Sequence, residues 1–144
     1  MIDNFFGEYR FLSKFWPCDI VYERIKFPST EHAFQAAKTL DSSIRMEIAA
    51  LKTPGQAKRA GKKVALRPDW EQVKIYIMRE LLSLKFNRYR YSYLSAKLIA
   101  TYPFELIEGN TWGDKFWGVC DGEGENHLGK LLMQIRAALL AVPA

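Results

Sequence analysis

The spacing of hydrophobic residues predicts a chain built mainly from helices. The longest helix is predicted from Pro68-Asp69 to about Phe86, because large side chains recur there at steps of three and four: Trp70, Val73, Ile77, Leu81 and Leu84. The same spacing predicts a final helix, in which Lys130 and Arg136 lie on other faces than the apolar residues Leu128, Leu131, Leu132, Ile135 and Leu139.

Start and stop signals predict four shorter helices. The first runs from Thr30 to about Leu40, with Ser29 or Thr30 as its cap, and a second follows over residues 43–51. Thr53-Pro54 places a hydroxyl cap before a proline at the first helical position, which predicts a helix through Lys63. The fourth covers residues 92–101 and ends before Pro103.

A small β component is predicted beside these helices. Residues 19–27 (DIVYERIKF) alternate loosely and are rich in β-branched and aromatic side chains, which predicts one strand or a short hairpin. Residues 104–108 predict another short strand. The stretch 109–129 holds six of the nine glycines and two of the four tryptophans, so it is not expected to form a regular element throughout. The predicted fold class is therefore mainly α with a small β component (α+β).

Length and composition indicate an ordinary globular protein. The 144 residues suit one domain, and the hydrophobic and charged fractions are 49% and 26%. No apolar run approaches the ~20 residues that span a bilayer, and residues 1–8 do not resemble a secretory signal. Cys18 and Cys120 form no CxxC motif and are expected to be reduced thiols. We expect a soluble, cytoplasmic protein that does not bind membranes.

Charge and aromatic content favour a flat or anionic ligand. A net charge of +5 attracts phosphates, nucleotides or nucleic acid, although it also suits solubility alone. The aromatic fraction of 14% is high, and aromatic rings stack on nucleobases. His32 and His127 stand far apart, with no further ligand at metal-binding spacing, so neither a metal nor a cofactor is expected.

The segment P-S-T-E-H-A-F-Q-A-A-K is the first candidate for chemistry. Helical spacing places Glu31, Phe34, Gln35 and Lys38 on one face. A carboxylate there can stabilise the cation formed when a bond to an anomeric carbon breaks, and a lysine amine can form a Schiff base. The alternative is a solvated face, with the opposite side of the helix directed inward: Ala33, Ala36, Ala37 and Leu40.

The glycine-rich stretch is the second candidate. Trp112 and Trp117 are placed to sandwich a base, Asp114 is a second acid, and Asn110 and Asn126 carry amides suited to ribose or base edges. The free N–H groups at the start of the helix that follows are expected to suit a phosphate. The alternative is a turn-rich loop whose tryptophans simply pack.

Two further segments have both a ligand-binding and a purely structural interpretation. Residues 58–67 contain a basic group that suits phosphate binding or a solvated face: Lys58, Arg59, Lys62, Lys63 and Arg67. The aromatic segment F-F-G-E-Y-R-F-L-S-K-F, which ends at Phe15, suits a pocket lining or an arm that packs on the core. Trp70 is by default a core residue.

Six segments in order resemble the NADAR-domain, YbiA-like family: F-F-G-E-Y-R-F-L-S-K-F, P-S-T-E-H-A-F-Q-A-A-K, T-P-G-Q-A-K-R-A-G, L-R-P-D-W-E-Q-V-K, L-x-x-K-F and N-T-W-G-D-K-F-W-G-V-C-D-G-E-G-E-N-H-L-G-K-L-L-M-Q-I-R. The resemblance implies one helix-rich domain over residues 1–144. It also implies a hydrolase that cleaves N-glycosidic bonds. Members hydrolyse the bond between ribose and an amino-pyrimidine in riboflavin-pathway intermediates, and relatives remove ADP-ribose from guanine bases in nucleic acid.

The resemblance carries site residues onto this chain. It implies catalytic roles for Glu31, Asp114 and Lys38, the last as a Schiff-base lysine. The predicted substrate-binding residues are Phe15, Gln35, Trp70, Asn110, Trp112, Trp117, Gly118 and Asn126. Lys14 departs from the family, which often has asparagine in F-L-S-N-F, and a lysine there favours a more anionic ligand.

The expected partner is a small phosphoribosyl or ADP-ribosyl molecule, with ADP-ribosylated nucleic acid as the other substrate. No oligomeric state is assigned. The rival class of protein is a binding module without catalysis, which reads ADP-ribose or binds nucleic acid.

Overall fold

The structure is a computed structural model that describes residues 1–142 in two compact units. The hairpin unit comprises Lys14–Lys85, and the loop unit comprises residues 1–13 and 86–142. Over the described part of the chain, no helix combines the length and the apolar character needed to cross a bilayer. The prediction of a single domain over residues 1–144 stays a prediction.

The hairpin unit opens with two antiparallel strands, β1 (Pro17–Tyr22) and β2 (Ile25–Ser29). Glu23 and Arg24 join them at φ +46° and +71°, which is the left-handed backbone that a two-residue hairpin turn requires. Alternate residues of β1 are buried, so one face of the hairpin contributes to the core. This confirms the hairpin prediction for residues 19–27.

Four helices complete the hairpin unit: α1 (Thr30–Ala36), α2 (Ser42–Ala49), α3 (Pro54–Gly61) and α4 (Trp70–Lys85). All four were predicted. The start of α3 has the expected capping, since the Thr53 hydroxyl accepts the Gln56 N–H and the Gln56 side chain reaches back to the Thr53 N–H. Helix α1 ends about four residues earlier than predicted.

Helix α1 is the centre of the hairpin unit. It packs against β2, α2, α3 and α4, and every one of its residues is buried. The interpretation of its polar side as a solvated face is therefore wrong, and so is the inward placement of Leu40, which is exposed. The physical reason is that the neighbouring strands and helices enclose this seven-residue helix, which the periodicity of the helix itself does not reveal.

The loop unit contains a 3-10 helix (Gly7–Leu12), α5 (Ser92–Ala100), β3 (Gly109–Asn110), β4 (Val119–Cys120) and α6 (His127–Ala141). Strands β3 and β4 are parallel, and α5 packs on α6. The predicted strand over residues 104–108 is wrong, because there Leu106 makes only a single bridge to Ile2 and β3 begins at Gly109. The fold class, mainly α with a small β component, is confirmed.

Arg136 corrects the prediction for the last helix. Its side chain is buried, and Nη1 donates to Thr101 Oγ1 at 2.9 Å and to the Phe104 carbonyl at 2.8 Å. These partners lie more than thirty residues away in sequence. The local pattern that placed Arg136 on a polar face contains no information about them.

Candidate active site

Glu31 is a buried carboxylate at the start of α1, with 2% of its surface exposed. Its Oε1 accepts a hydrogen bond of 2.8 Å from Gln35 Nε2, and its backbone N–H donates to the Lys14 carbonyl. Oε2 lies 3.9 Å from Lys14 Nζ and accepts no hydrogen bond from residues 1–142. Burying a carboxylate is costly unless it has partners, and this ion pair and hydrogen bond fix the orientation of Glu31.

Gln35 is held in place by the backbone of α3. A Cβ atom added at Gly61 would overlap Oε1 and Cδ of Gln35, so only glycine admits this amide beside the helix. Gln35 Oε1 has no hydrogen-bond donor among residues 1–142. Sequence reasoning missed Gly61, although a glycine inside a short helix is a signal for close packing.

Lys38 lies in the turn after α1 and is half-buried. Burial lowers the pKa of its amine, and the positive charges of Lys14, Lys62 and Lys58 lower it further, while Glu31 acts in the opposite direction. The amine is therefore neutral at a lower pH than an exposed lysine would be. A neutral amine is the nucleophilic form.

The basic segment of α3 divides into two groups. Lys58 on α3 and Lys62, which follows the last residue of α3, are spaced four residues apart, and both raise the positive potential at Lys38. Arg67 instead pairs with Asp69, with its Nε 2.7 Å from Oδ1. Lys14 and Lys38 thus act on Glu31, and Lys14, Lys58 and Lys62 act on Lys38, an arrangement of positive charge that attracts an anion.

His32 has a structural role beside this site. Nε2 lies 2.9 Å from the Leu51 carbonyl, which only accepts, so Nε2 carries the proton and Nδ1 accepts from the Ser29 hydroxyl at 2.7 Å. Burial lowers the pKa of the ring. His32 therefore ties the start of α1 to the end of α2. No three His, Cys, Asp or Glu side chains meet as a metal site within residues 1–142.

The predicted aromatic residues of the hairpin unit divide between core and surface. Trp70 is buried, and its ring lies 5.1 Å from that of Phe34. Phe15 is exposed. Phe34 therefore faces α4, while Glu31 and Gln35 contact each other. The helix face predicted to carry Glu31, Phe34, Gln35 and Lys38 thus contributes an aromatic ring to the core as well as a buried pair of polar side chains. The substrate-binding roles of Phe15 and Trp70 stay predictions.

The polar side chains of the glycine-rich stretch bind its own backbone. Asp114 Oδ1 accepts the N–H groups of Phe116 and Trp117 at 3.1 and 2.9 Å. Asn110 bonds both the N–H and the carbonyl of Asp114. These two residues close a turn, and the catalytic role implied for Asp114 stays a prediction.

Asn126 also holds the loop unit together. Its amide accepts from the Glu108 N–H and donates to the Leu106 carbonyl, each at 3.0 Å. The next two N–H groups, of His127 and Leu128, donate to the carbonyls of Phe116 and Trp117. The predicted phosphate site at the start of α6 is therefore wrong, because loop carbonyls occupy those donors.

The remaining predicted residues of the loop unit make packing contacts. The Trp117 ring is buried against Phe116 at 4.9 Å, and the exposed Trp112 ring meets the edge of Phe6 at 6.4 Å. A Cβ atom at Gly118 would overlap the Glu108 carbonyl and crowd the Asn110 amide, which explains the glycine. Their predicted substrate contacts stay predictions.

Comparison with known proteins places this geometry in a family. The family model "NADAR domain" matches residues 4–140. The N-glycosidase YbiA of Shigella boydii serotype 4 and that of Escherichia coli K12 are each 39% identical over 144 residues, covering 96% of this chain and 88% of the relative.

A solved structure and a more distant relative are also similar to this chain. The NMR structure of E. coli YbiA matches with a TM-score of 0.84 and 37% identity, covering 99% of this chain and 89% of that one. A riboflavin biosynthesis protein of Vibrio vulnificus is 34% identical over 132 residues, which are 90% of this chain and 35% of that longer protein. The chain therefore belongs to the NADAR domain family.

Proposed function

We propose that this protein is an N-glycosidase that hydrolyses the bond between ribose 5-phosphate and the amine of an aminopyrimidine. Hydrolysis of an N-glycosyl compound follows from its kinship with the YbiA N-glycosidases. The observation that carries the finer proposal is the buried Glu31 carboxylate, held by Gln35 and acting on both Lys14 and Lys38.

Glu31 is assigned the stabilisation of the sugar cation. Breaking an N-glycosidic bond develops positive charge at the anomeric carbon and the ring oxygen. A buried carboxylate acts strongly on such charge, since little solvent screens it. The hydrogen bond from Gln35 fixes Oε1 and leaves Oε2 directed by Lys14, so the carboxylate does not need to reorient during the reaction.

Lys38 is assigned the role of nucleophile. When the bond to the pyrimidine amine breaks, the neutral Nζ adds to the anomeric carbon of the sugar cation and gives up a proton, which the leaving amine takes up. The ribosyl-lysine then opens at its ring oxygen to a lysine imine. Water then adds to the imine, which releases the sugar aldehyde and restores the amine. The lowered pKa of Lys38 favours this role.

Lys58 and Lys62 are assigned the phosphate of the substrate. Ammonium groups bind phosphate as point charges, and a pair on one helix face can hold both ends of the anion. Lys58 lies on α3 and Lys62 caps its C-terminal end, and α3 packs directly against α1. The same pair also suits a diphosphate, which is the basis for the second candidate substrate, ADP-ribosylated guanine.

The function is tested by incubation with a ribosylaminopyrimidine phosphate. We expect release of ribose 5-phosphate, and a higher KM for the dephosphorylated ribosylaminopyrimidine. Tight nucleotide binding without any release would contradict the proposal and favour a module that only reads ADP-ribose. Release of ADP-ribose from modified guanine, without activity on the metabolite, would favour the second candidate substrate.

The covalent step has its own test. Borohydride added during turnover reduces a lysine imine, so we expect a stable sugar adduct on the peptide that contains Lys38. Absence of an adduct, together with full activity of Lys38→Ala, would rule out the imine. The reduced adduct should be absent when substrate is omitted.

A further inference from the structure

The segment between α4 and α5 has a composition that the glycosidase site does not explain. Residues 87–93 read N-R-Y-R-Y-S-Y, and we call them the RY segment. Tyr89 is 91% exposed and Tyr93 is 50% exposed. Isolated exposed aromatics are ordinary, but three tyrosines and two arginines in seven residues are a concentrated surface feature.

The backbone of the RY segment is ordered. Asn87 Oδ1 accepts the N–H groups of Tyr89 and Arg90 at 2.8 and 3.2 Å, and the Asn87 carbonyl accepts the Tyr91 N–H at 2.9 Å. The turn thus holds the Tyr89 backbone in place while its ring remains in solvent. A ring presented in this way contributes little to folding and loses little backbone entropy when it binds a ligand.

The arginines add positive charge that no carboxylate of residues 1–142 pairs with. Arg88 Nη2 donates to the Leu139 carbonyl at 2.7 Å, which anchors the guanidinium without compensating its charge. The Arg90 guanidinium lies 5.6 Å from the Tyr91 ring centroid. Within residues 1–142, neither arginine makes a salt bridge.

The rings and charges alternate along the turn. Tyr91 and Tyr93 meet edge to face, with centroids 6.5 Å apart, and Tyr89 and Tyr93 each keep at least half of their surface exposed. Alternating rings and guanidinium groups match the bases and phosphates of an extended strand. The segment contains no Leu, Ile, Phe or Trp of the kind that inserts into a bilayer.

We propose that the RY segment binds single-stranded nucleic acid. Unpaired bases stack on Tyr89 and Tyr93, and Arg88 and Arg90 contact the phosphates. A duplex hides its base faces and is a poorer ligand. This surface is separate in composition from the lysines around Glu31, and its function does not depend on the glycosidase activity.

The test is fluorescence anisotropy of the full chain with labelled single strands of about ten nucleotides. We expect saturable binding that weakens as salt increases. Tyr89→Ala should weaken binding by about 10-fold, and Tyr89→Phe should bind like the wild type because the ring is kept. Arg90→Gln should reduce the salt slope by about one.

Tyr76→Ala is the matched control, since Tyr76 is an exposed tyrosine on α4 outside the RY segment. It should not change the affinity. Release of ribose 5-phosphate from the free metabolite should be unchanged in Tyr89→Ala, which separates this test from that of the glycosidase. Absence of saturable binding at about 50 mM salt, equal affinity for duplex, preference for anionic lipid vesicles, or unchanged binding by Tyr89→Ala would overturn the proposal.

Discussion

Helix α1 and the glycine-rich stretch both carry polar residues predicted to act in catalysis, but they use them differently. In the glycine-rich stretch, Asn110, Asp114 and Asn126 bind backbone groups of the loop unit. In α1, Glu31 and Gln35 bind each other, and each keeps one buried oxygen without a hydrogen bond among residues 1–142.

The difference separates side chains that build the fold from side chains that we propose act on a ligand. A buried polar atom without a partner costs about 1–3 kcal/mol, so each one calls for an explanation, and contact with a ligand is one such explanation. The amides and the carboxylate of the glycine-rich stretch have partners that stabilise a turn. The carboxylate of α1 retains capacity to interact with a substrate.

The largest expected effect comes from Lys38. Lys38→Arg keeps the positive charge but removes the amine that forms the imine, so turnover should fall on the order of 1,000-fold or more. Stopped assays of ribose 5-phosphate release measure this. Turnover within a few-fold of the wild type would show that Lys38 acts only through its charge.

Asn126→Ala tests the other region and should act on stability. Loss of the amide leaves the Glu108 N–H and the Leu106 carbonyl without their partner, so the free energy of unfolding should fall by about 2–3 kcal/mol. Turnover per folded molecule should be retained. Denaturant titration gives the first quantity, and an active-site titration gives the second. A variant that is stable but inactive would show that Asn126 acts in the active site and does not mainly stabilise the fold.

Gly61→Ala tests the support of the α1 site. The new Cβ atom would displace the Gln35 amide and with it the Glu31 carboxylate, so turnover should fall by about 10- to 100-fold. Gly55→Ala is the control in the same helix, because a Cβ there meets no atom closer than 3.6 Å. That control should keep its activity. Equal losses of turnover in both variants would contradict the claim that Gln35 positions Glu31.

The smallest effect is a shift in pH dependence. The rate should rise with pH as Lys38 loses its proton. The midpoint of this rising limb of the pH–rate profile should lie below the ordinary pKa of lysine, because burial and neighbouring lysines lower the pKa of Lys38. Lys62→Gln removes one of those charges, so the pKa of Lys38 rises and the limb moves to higher pH. Lys63→Gln, an exposed neighbour, is the control. A limb that moves to lower pH in Lys62→Gln would contradict this assignment.

Local signals predicted the elements well where capping residues act within one turn. Thr53 and Pro54 determine the start of α3, and the four-residue spacing placed Glu31 and Gln35 on one face, where they form a hydrogen bond. The burial of α1 was not predictable in this way, since it depends on α3 and α4 closing around it. Arg136 was misplaced for the same reason, because its acceptors come from a distant part of the sequence.

The central claim is that the Glu31 carboxylate, and not that of Asp114, carries the reaction. The direct measurement compares Glu31→Gln with Asp114→Asn, two swaps that keep shape and remove one charge, by single-turnover release of ribose 5-phosphate from folded protein. We predict a loss of about 100- to 1,000-fold for Glu31→Gln. For Asp114→Asn we predict a loss of only about a few-fold, because the amide oxygen still accepts the N–H groups of Phe116 and Trp117. Full activity of folded Glu31→Gln would contradict the account.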